Sequence, residues 1–393
     1  MKRLSILIIS IMIFPMLLSC YDKVEIDKRA FVSTIGLDTF EFIDKKEELK
    51  NINPDAPFAM KQLEKIKVTL GCPNISETGE KESGDAPNNT MVAEAPSFED
   101  AIIRIGNKSS RTVTFGTGKL MVISEDFFRY PDTLKEVLDN IRRSPNINRV
   151  MYVIVCEGEA EDVLKFMPPM ESNVENYLIG LMENAGINSY IKPVRLNDML
   201  SLMSKKCDIA IPKVSIKKES NEVVLKGASI IKDFTIVGSL SEVESSDIEL
   251  LRGNLKGGKK IIYMEGHPVD YYITEVTRKL KVKEEDDGKL NFQVLLQLDG
   301  ELQGYVPDKK SLDNKDIEEI QNHFDNSLAK EGRIVLEGVQ SQYGADLLEL
   351  KEYLKGYHPF IWNDIKDNWN EAFKNSKIDV YVKTNIRRIG VGY

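Results

Sequence analysis

Hydrophobic and polar residues alternate over several short stretches of the first 160 residues, and stretches with helical spacing lie between them. Alternation at every second position predicts half-buried strands, and a continuous apolar run predicts a buried one. Ser97 and Asp100 have the spacing of a capping box in front of a helix. Strand, helix and apolar strand in this order predict a crossover unit in a mixed sheet. The predicted strands are residues 29–38, 64–71, 119–124 and 149–157, and the predicted helices begin at Ser97 and Leu134.

Two other parts of this region have different patterns. Residues 72–95 are rich in Gly, Pro, Asn, Ser and Glu, which predicts a mobile excursion. Residues 160–185 have helical character that Pro168 and Pro169 interrupt, and residues 197–203 form a second short helical stretch. The pattern then changes to strands, predicted at residues 212–217, 222–231 and 234–240, with a helical turn at 246–251 and a turn-rich boundary at 254–260.

The C-terminal part begins with an antiparallel pattern. Residues 271–283 and 290–299 read as two strands around an Asp287-Gly288 turn. Three helical stretches follow, at 314–342, 345–354 and 362–375, and the chain closes with a strand at 378–388. We expect this last strand to pair antiparallel in a sheet whose inner face the helices cover.

Length and charge limit the possible classes of protein. At about 150 residues per domain, 393 residues predict two or three domains. The net charge of −9 argues against a nucleic-acid partner, because nucleic acids attract basic surfaces. It also argues against electrostatic binding to anionic lipid, so a covalent lipid would have to hold the protein on a membrane.

The first twenty residues supply such a lipid site. Met1-Lys2-Arg3 is followed by an apolar run to Leu18, which is the pattern of a secretory signal. Leu17-Leu18-Ser19-Cys20 approximates a lipobox, so we expect residues 1–19 to be removed and Cys20 to carry a diacylglyceryl group. An uncleaved membrane helix is the alternative, but the run contains Pro15 and is shorter than the ~20 residues of a span. The mature protein should therefore be tethered outside the cytoplasm.

No constellation of residues in the sequence predicts catalysis, a metal site or a cofactor. Cys72, Cys156 and Cys207 remain after Cys20, an odd number without a CxxC pair, so a disulfide framework is not expected. Cys156 lies in an apolar strand and is expected to be a small core residue rather than a nucleophile. The three histidines His267, His323 and His358 are far apart and have no partner at metal spacing.

Two further stretches have a functional and a structural interpretation. The stretch from Phe115 to Lys119 contains two glycines, but its spacing does not fit a phosphate-binding loop. Trp362, Trp369 and Phe373 could line a ligand pocket, although their helical spacing fits a core-facing stripe better. The ligand-binding residues, if there are any, stay unknown at this point.

Several motifs along the chain occur in a characteristic order. Cys20-Tyr21-Asp22 precedes a strand that ends Gly36-Leu37-Asp38, with Tyr21 where tryptophan is usual. The order resembles the Ger(x)C family, the C-subunit lipoproteins of bacterial spore germinant receptors. The other stretches that carry the resemblance are residues 97–105, 115–127 and 227–240 with Glu244 and 251–253, then Gln340, Tyr343, Asp346, Trp362, Trp369, Phe373 and 386–390.

The resemblance implies an α+β protein of three mixed α/β domains, on the outer face of the spore inner membrane. We place these domains at residues 20–160, 161–260 and 261–393, the last as an antiparallel sheet packed with long helices. It also implies two integral-membrane partners, a transporter-like subunit and a larger one with soluble domains. The family has no catalytic residues to transfer, and only the lipidation site transfers, to Cys20.

The hypothesis from the sequence is a non-enzymatic lipoprotein subunit of a germinant receptor, needed for nutrient-triggered germination. One alternative is a solute-binding lipoprotein that holds a small nutrient directly, which requires a cleft with converging polar groups. Another is a lipoprotein hydrolase acting on cell wall, which requires a nucleophile or a metal set.

Overall fold

The computed structural model describes residues 25–389, with gaps at 46–47, 49, 56, 58–62, 74–88, 169–170, 172, 188–189, 218–219, 221, 256, 286–287 and 305–311. Its largest element is a nine-stranded mixed sheet. Its strands are β2 (Thr34–Thr39), β3 (Ile66–Cys72), β4 (Asn89–Ala95), β6 (Leu120–Ser124), β7 (Tyr152–Cys156), β8 (Val194–Arg195), β9 (Ile209–Lys217), β10 (Glu222–Lys232) and β11 (Thr235–Leu240). Four parallel strands form the middle, in the order β9, β7, β6, β2, and antiparallel strands extend it on both sides. The two remaining strands of this half, β1 (Arg29–Phe31) and β5 (Thr112–Thr114), pair with each other in parallel.

Helices cover both faces of this sheet, as the strand–helix alternation predicts. One face packs against α1 (Phe98–Lys108), α2 (Pro131–Arg143) and α5 (Leu196–Ser204), and the other against α3 (Ala160–Leu164) and α4 (Val174–Ile187). Ser97 begins α1 as expected, and its Oγ accepts a hydrogen bond from the N–H of Asp100 at 3.2 Å.

One prediction for this half is wrong in part. The predicted excursion at residues 72–95 contains β4, which pairs antiparallel with β3 from Ile66 to Cys72. The alternating positions of β4 are filled by Met91, Ala93 and Ala95, and two of these are alanines. Because small side chains give a weak hydrophobic signal, the strand was not predicted. Residues 74–88, which dominate the composition of this stretch, lie outside the described part of the chain.

A four-stranded sheet, in the order β12-β13-β14-β15, forms the C-terminal part. Its first three strands pair antiparallel, but β15 pairs parallel with β14, so the expected antiparallel pairing of the last strand is wrong. The chain returns from β14 through several helices rather than a hairpin, and such a crossover places the next strand parallel. The strands are β12 (Gly258–Met264), β13 (His267–Glu284), β14 (Leu290–Gly304) and β15 (Lys377–Ile389).

The helices of this part begin with α6 (Glu242–Arg252), which is longer than the helical turn predicted there. The crossover contains α7 (Asn314–Gly338), a π-helical turn (Val339–Tyr343), α8 (Leu350–Tyr357), α9 (Pro359–Ile365) and α10 (Trp369–Asn375). Trp369 and Phe373 are buried in the core beneath the sheet, which agrees with their interpretation as a core-facing stripe.

The hairpin β10–β11 connects the two sheets. Ile230 and Leu240 of this hairpin lie in the same core cluster as the C-terminal strands. The nine-stranded sheet also continues from β7 into β9–β11, so a boundary near residue 160 would not separate two sheets. The three-domain division itself stays a prediction. In the described residues, no helix is both long and apolar enough to span a bilayer.

Candidate functional site

Cys20, the single site residue predicted from the sequence, lies outside the described residues. Its lipidation therefore stays a prediction. The first described residue is Glu25, followed by a short 3-10 turn (Ile26–Lys28) and β1.

The carboxyl edge of the parallel strands is where ligands bind in many open α/β sheets. In this protein α3 closes that edge. Asp38, at the end of β2, accepts hydrogen bonds from the N–H groups of Ala160 (2.6 Å) and Glu161 (3.1 Å), so it caps the first turn of α3. Burial raises the pKa of the Asp38 carboxyl to about 6, against the effect of these two hydrogen bonds.

The close approach of α3 explains the glycine that precedes Asp38. A Cβ atom on Gly36 would lie 2.9 Å from Leu164 Cδ1 and 3.4 Å from Ala160 Cβ. Lys67 of the neighbouring strand pairs with Glu159 (2.7 Å) and Glu161 (2.9 Å) around the same helix start. The Gly36-Leu37-Asp38 motif therefore holds a helix closely against the sheet at Gly36.

A polar cavity of about 410 Å³ lies at the opposite edge, between the β9–β10 end of the sheet and the C-terminal helices. We call it the junction cavity. Asp346 is its most buried charged residue, and it accepts hydrogen bonds from the N–H groups of Leu350 (3.0 Å) and Lys351 (2.8 Å) at the start of α8. Burial raises the pKa of Asp346 to about 6. The cavity is lined by Lys206, Cys207, Asp208, Lys232, Asp233, Asp346, Glu349, Lys351 and residues 366–371.

Several charged groups of the junction cavity form hydrogen bonds with backbone groups of the protein. The N–H of Asp346 donates to Asp208 Oδ2 at 2.7 Å. Lys351 Nζ donates to the carbonyl of Lys206 at 3.0 Å, and Lys232 Nζ donates to the carbonyl of Gly344. These bonds join the ends of the nine-stranded sheet to the loop before α8, so the cavity lies at a structural junction.

The stretch Gln340–Asp346, which the resemblance singles out, forms this same junction. Gln340 Nε2 donates to the carbonyls of Phe373 (2.6 Å) and Ser376 (2.8 Å), just before β15. Tyr343 packs on Gly238 of β11, where a Cβ atom would lie 2.3 Å from the ring. Sequence reasoning missed Asp208 and Lys232, because their partners are more than a hundred residues away in the chain.

The other candidate residues are dispersed. Cys72, Cys156 and Cys207 are buried and free, and burial raises the pKa of the Cys72 and Cys207 thiols to about 11. Such thiols are poor nucleophiles, because the thiolate is the reactive form. His323 lies 3.9 Å from Glu319, and no group of three or more His, Cys, Asp or Glu residues in the described ranges could hold a metal.

Comparison with known proteins gives family matches along the chain. The model of the spore germination protein N-terminal domain matches residues 22–216, and that of the spore germination B3/GerAC-like C-terminal domain matches residues 226–390. The chain is 24% identical to spore germination protein YndF of Bacillus subtilis (strain 168), over 99% of this chain and 97% of the relative. It is also 24% identical to spore germination protein B3 of the same organism, over 95% and 96% of the two chains.

The fold has a counterpart among solved structures. The crystal structure of the GerBC protein matches with a TM-score of 0.57 and 20% identity, over 90% of this chain and 97% of that chain. At this identity the likeness shows a common fold. The two family models reach from residue 22 to residue 390, and the chain therefore belongs to the GerAC-like, or Ger(x)C, family of spore germination proteins.

Proposed function

We propose that this protein is the lipid-anchored C subunit of a spore germinant receptor complex. The observation that carries the proposal is Leu17-Leu18-Ser19-Cys20 at the start of a chain that the family models match almost throughout. A diacylglyceryl group on Cys20 would hold the mature chain on the outer face of the spore inner membrane. Two acyl chains give stable attachment, since each buried methylene contributes about 0.8 kcal/mol.

In this proposal the protein acts by contact rather than by catalysis. Its partners are the two integral-membrane receptor subunits that the family resemblance implies, and it helps to convert binding of a nutrient into germination. Two observations favour this role over that of a hydrolase. Helix α3 occupies the carboxyl edge of the sheet, where ligands bind in many α/β proteins, and the raised pKa of the Cys72 and Cys207 thiols makes them poor nucleophiles.

The solute-binding alternative needs converging polar groups, and the junction cavity is lined by charged ones. There Lys232 and Lys351 donate to backbone carbonyls and Asp346 accepts from backbone N–H groups. Since these bonds hold two parts of the fold together, we favour the receptor-subunit role.

The anchor is tested by replacing residues 1–19 with a secretory signal whose cleavage needs no cysteine, together with Cys20→Ala. We expect a folded protein that leaves the membrane fraction of spores, because the covalent lipid is its proposed membrane attachment. The matched control is Ser19→Ala with the native signal, which keeps a small residue before Cys20 and should stay in the membrane fraction. Because contacts with the receptor subunits or with headgroups would also retain the protein, the membranes are first washed at high salt and alkaline pH, and unchanged retention of the Cys20→Ala protein after this wash would rule out the anchor.

A further inference from the structure

The amino ends of three parallel strands lie side by side at one edge of the nine-stranded sheet. Thr34 of β2 pairs with Leu120 of β6, and Leu120 pairs with Tyr152 of β7. Because α1 and α2 cross back over the sheet, their C-terminal ends, Lys108 and Arg143, reach the same edge. We call this the amino edge, and define it by residues 25–34, 108–120 and 142–152.

The proposed lipid site is close to the amino edge along the chain. Five peptide bonds separate Cys20 from Glu25, the first described residue. A chain spans at most about 3.6 Å per residue, so the Cα atom of Cys20 must lie within roughly 18 Å of that of Glu25. If Cys20 is lipidated as proposed above, this edge is the part of the described protein held nearest the membrane.

The amino edge carries exposed cations that have few carboxylate partners. Among the described residues, Lys108, Arg111, Lys119 and Arg149 form no ion pair within 4.0 Å. Lys119 Nζ donates instead to Asn176 Oδ1 at 3.2 Å, and Lys108 Nζ donates to the carbonyl of Val92 at 3.5 Å. All four of these side chains are exposed.

Two more arginines add to this charge. Arg142 and Arg143 are both exposed and share a single carboxylate, that of Asp139, at 2.5 and 2.7 Å. Exposed apolar side chains lie at the same edge, with Ile26 75% and Val150 57% exposed. Basic groups interspersed with apolar ones are the composition of a surface that meets an anionic membrane interface.

We propose that the amino edge lies against the membrane surface and that its cations contact anionic phospholipid headgroups. The lipid would then fix the distance of the protein from the membrane, and the basic edge would fix its orientation. The negative net charge, −9 for the full sequence and −11 without Lys2 and Arg3, does not prevent this, because charges separated by more than about 8–10 Å are largely screened at physiological salt. Contact with headgroups depends on the local charge.

Negative charges near the amino edge oppose this contact. Glu25 pairs with Lys28 at 2.7 Å, which makes that pair neutral. The sequence between Cys72 and Asn89, which pair with each other at this edge, carries Glu77, Glu80, Glu82 and Asp85 against Lys81. The test must therefore compare variants in which these acidic groups are unchanged.

The test uses the mature chain, residues 20–393, with Cys20→Ala, so that binding is measured without the lipid. Vesicles of phosphatidylcholine containing roughly one quarter phosphatidylglycerol are compared with pure phosphatidylcholine by sedimentation at several salt concentrations. We expect the chain to bind the anionic vesicles and not the pure phosphatidylcholine vesicles, and we expect the binding to weaken as the salt concentration increases. The edge variant is Arg111→Glu, Lys119→Glu and Arg149→Glu, and it should lose about tenfold or more in partitioning.

The matched control reverses three exposed lysines on the C-terminal sheet, Lys279→Glu, Lys281→Glu and Lys283→Glu. It has the same net charge as the edge variant and should bind the anionic vesicles as the parent chain does. Circular dichroism melting shows that both variants are folded. Equal loss in both variants, equal binding to both vesicle types, or no binding by the parent chain would overturn the proposal. These outcomes leave the Cys20 anchor untouched, because fractionation of the lipidated protein tests the anchor separately.

Discussion

Two buried aspartates, Asp38 and Asp346, each bind the start of a helix, which is distant in the chain for Asp38 and directly follows in the chain for Asp346. Asp38 accepts two N–H groups from α3, and Asp346 accepts two from α8. These bonds satisfy helix N–H groups that would otherwise lack a partner. Burial opposes ionisation of both carboxyls and raises each pKa to about 6.

The raised pKa of Asp38 gives a pH dependence whose sign can be tested. Its pKa of about 6 in the folded protein exceeds the ordinary value of 3.8, so between these values the folded state binds more protons than the unfolded state. The stability contributed by this group is therefore present below about pH 4 and falls as the pH rises to about 6. One pKa unit corresponds to ~1.4 kcal/mol, so the loss is about 2–3 kcal/mol.

Asp38→Asn keeps the shape of the side chain and one acceptor but cannot ionise. We expect it to destabilise the protein by about 1–3 kcal/mol near pH 4.5, and by less near pH 7, where the wild type has lost its own contribution. Urea unfolding at both pH values measures this difference. Asp162→Asn, at an exposed position of the same helix α3, is the control and should be close to neutral. A destabilisation that grows with pH would contradict the raised pKa.

At the residue scale, the sequence predicts local contacts and misses distant ones. The Ser97 cap of α1 was predictable because both partners lie within four residues. The Asp38 cap of α3 was not, since its acceptor and donors are 122 and 123 residues apart. The core position of Cys156 was predictable from its apolar strand, and the residue is fully buried.

At the scale of elements, β15 shows how a sheet edge is protected. It is the last strand of the four-stranded sheet, so its outer N–H groups need partners other than a strand. Two side chains of α7 supply them. Asp325 Oδ1 accepts from the N–H of Thr384 at 2.6 Å, and Gln321 Oε1 accepts from the N–H of Ile386 at 2.9 Å.

Asp325→Leu would leave the N–H of Thr384 without this acceptor. We expect a loss of about 1–3 kcal/mol in the free energy of unfolding, the usual effect of a half-buried donor left unpaired. We also expect a greater tendency of the edge to associate with other chains. Urea unfolding and size-exclusion chromatography measure the two effects. Asn322→Leu, on the exposed side of α7, is the control, and an equal loss there would show that the edge contact is not the cause.

The predicted elements of the C-terminal part illustrate what periodicity can and cannot give. The alternation of apolar and polar residues predicted both β14 and β15 and which face of each strand points inward. Val380 of β15 is buried as expected. The direction of pairing depends on how the crossover returns, which alternation does not encode. Strand β12 begins inside residues 254–260, the turn-rich stretch that was predicted as a boundary. The strand forms there because it pairs with β13, a contact that the local composition does not encode.

At the scale of the whole molecule, the net charge and the distribution of charge lead to different conclusions. The negative total charge predicts no attraction to anionic lipid, whereas the fold collects Arg111, Lys119 and Arg149 at one edge. Arg149 is thirty residues beyond Lys119 in the sequence, so the edge became visible only with the fold. The junction cavity was missed for the same reason.

If this protein is a membrane-anchored subunit of a receptor complex, the integral-membrane subunits should accompany it when it is purified. The most direct measurement is affinity purification of the tagged chain from spore membranes in mild detergent, with identification of the proteins that accompany it. The protein carrying Cys20→Ala and a secretory signal provides the control. We predict that a transporter-like protein and a larger membrane protein with soluble domains co-purify with the wild type in comparable amounts, and much less with the control. Recovery of the wild-type chain alone, from membranes that contain both proteins, would show that it is not a subunit of such a complex.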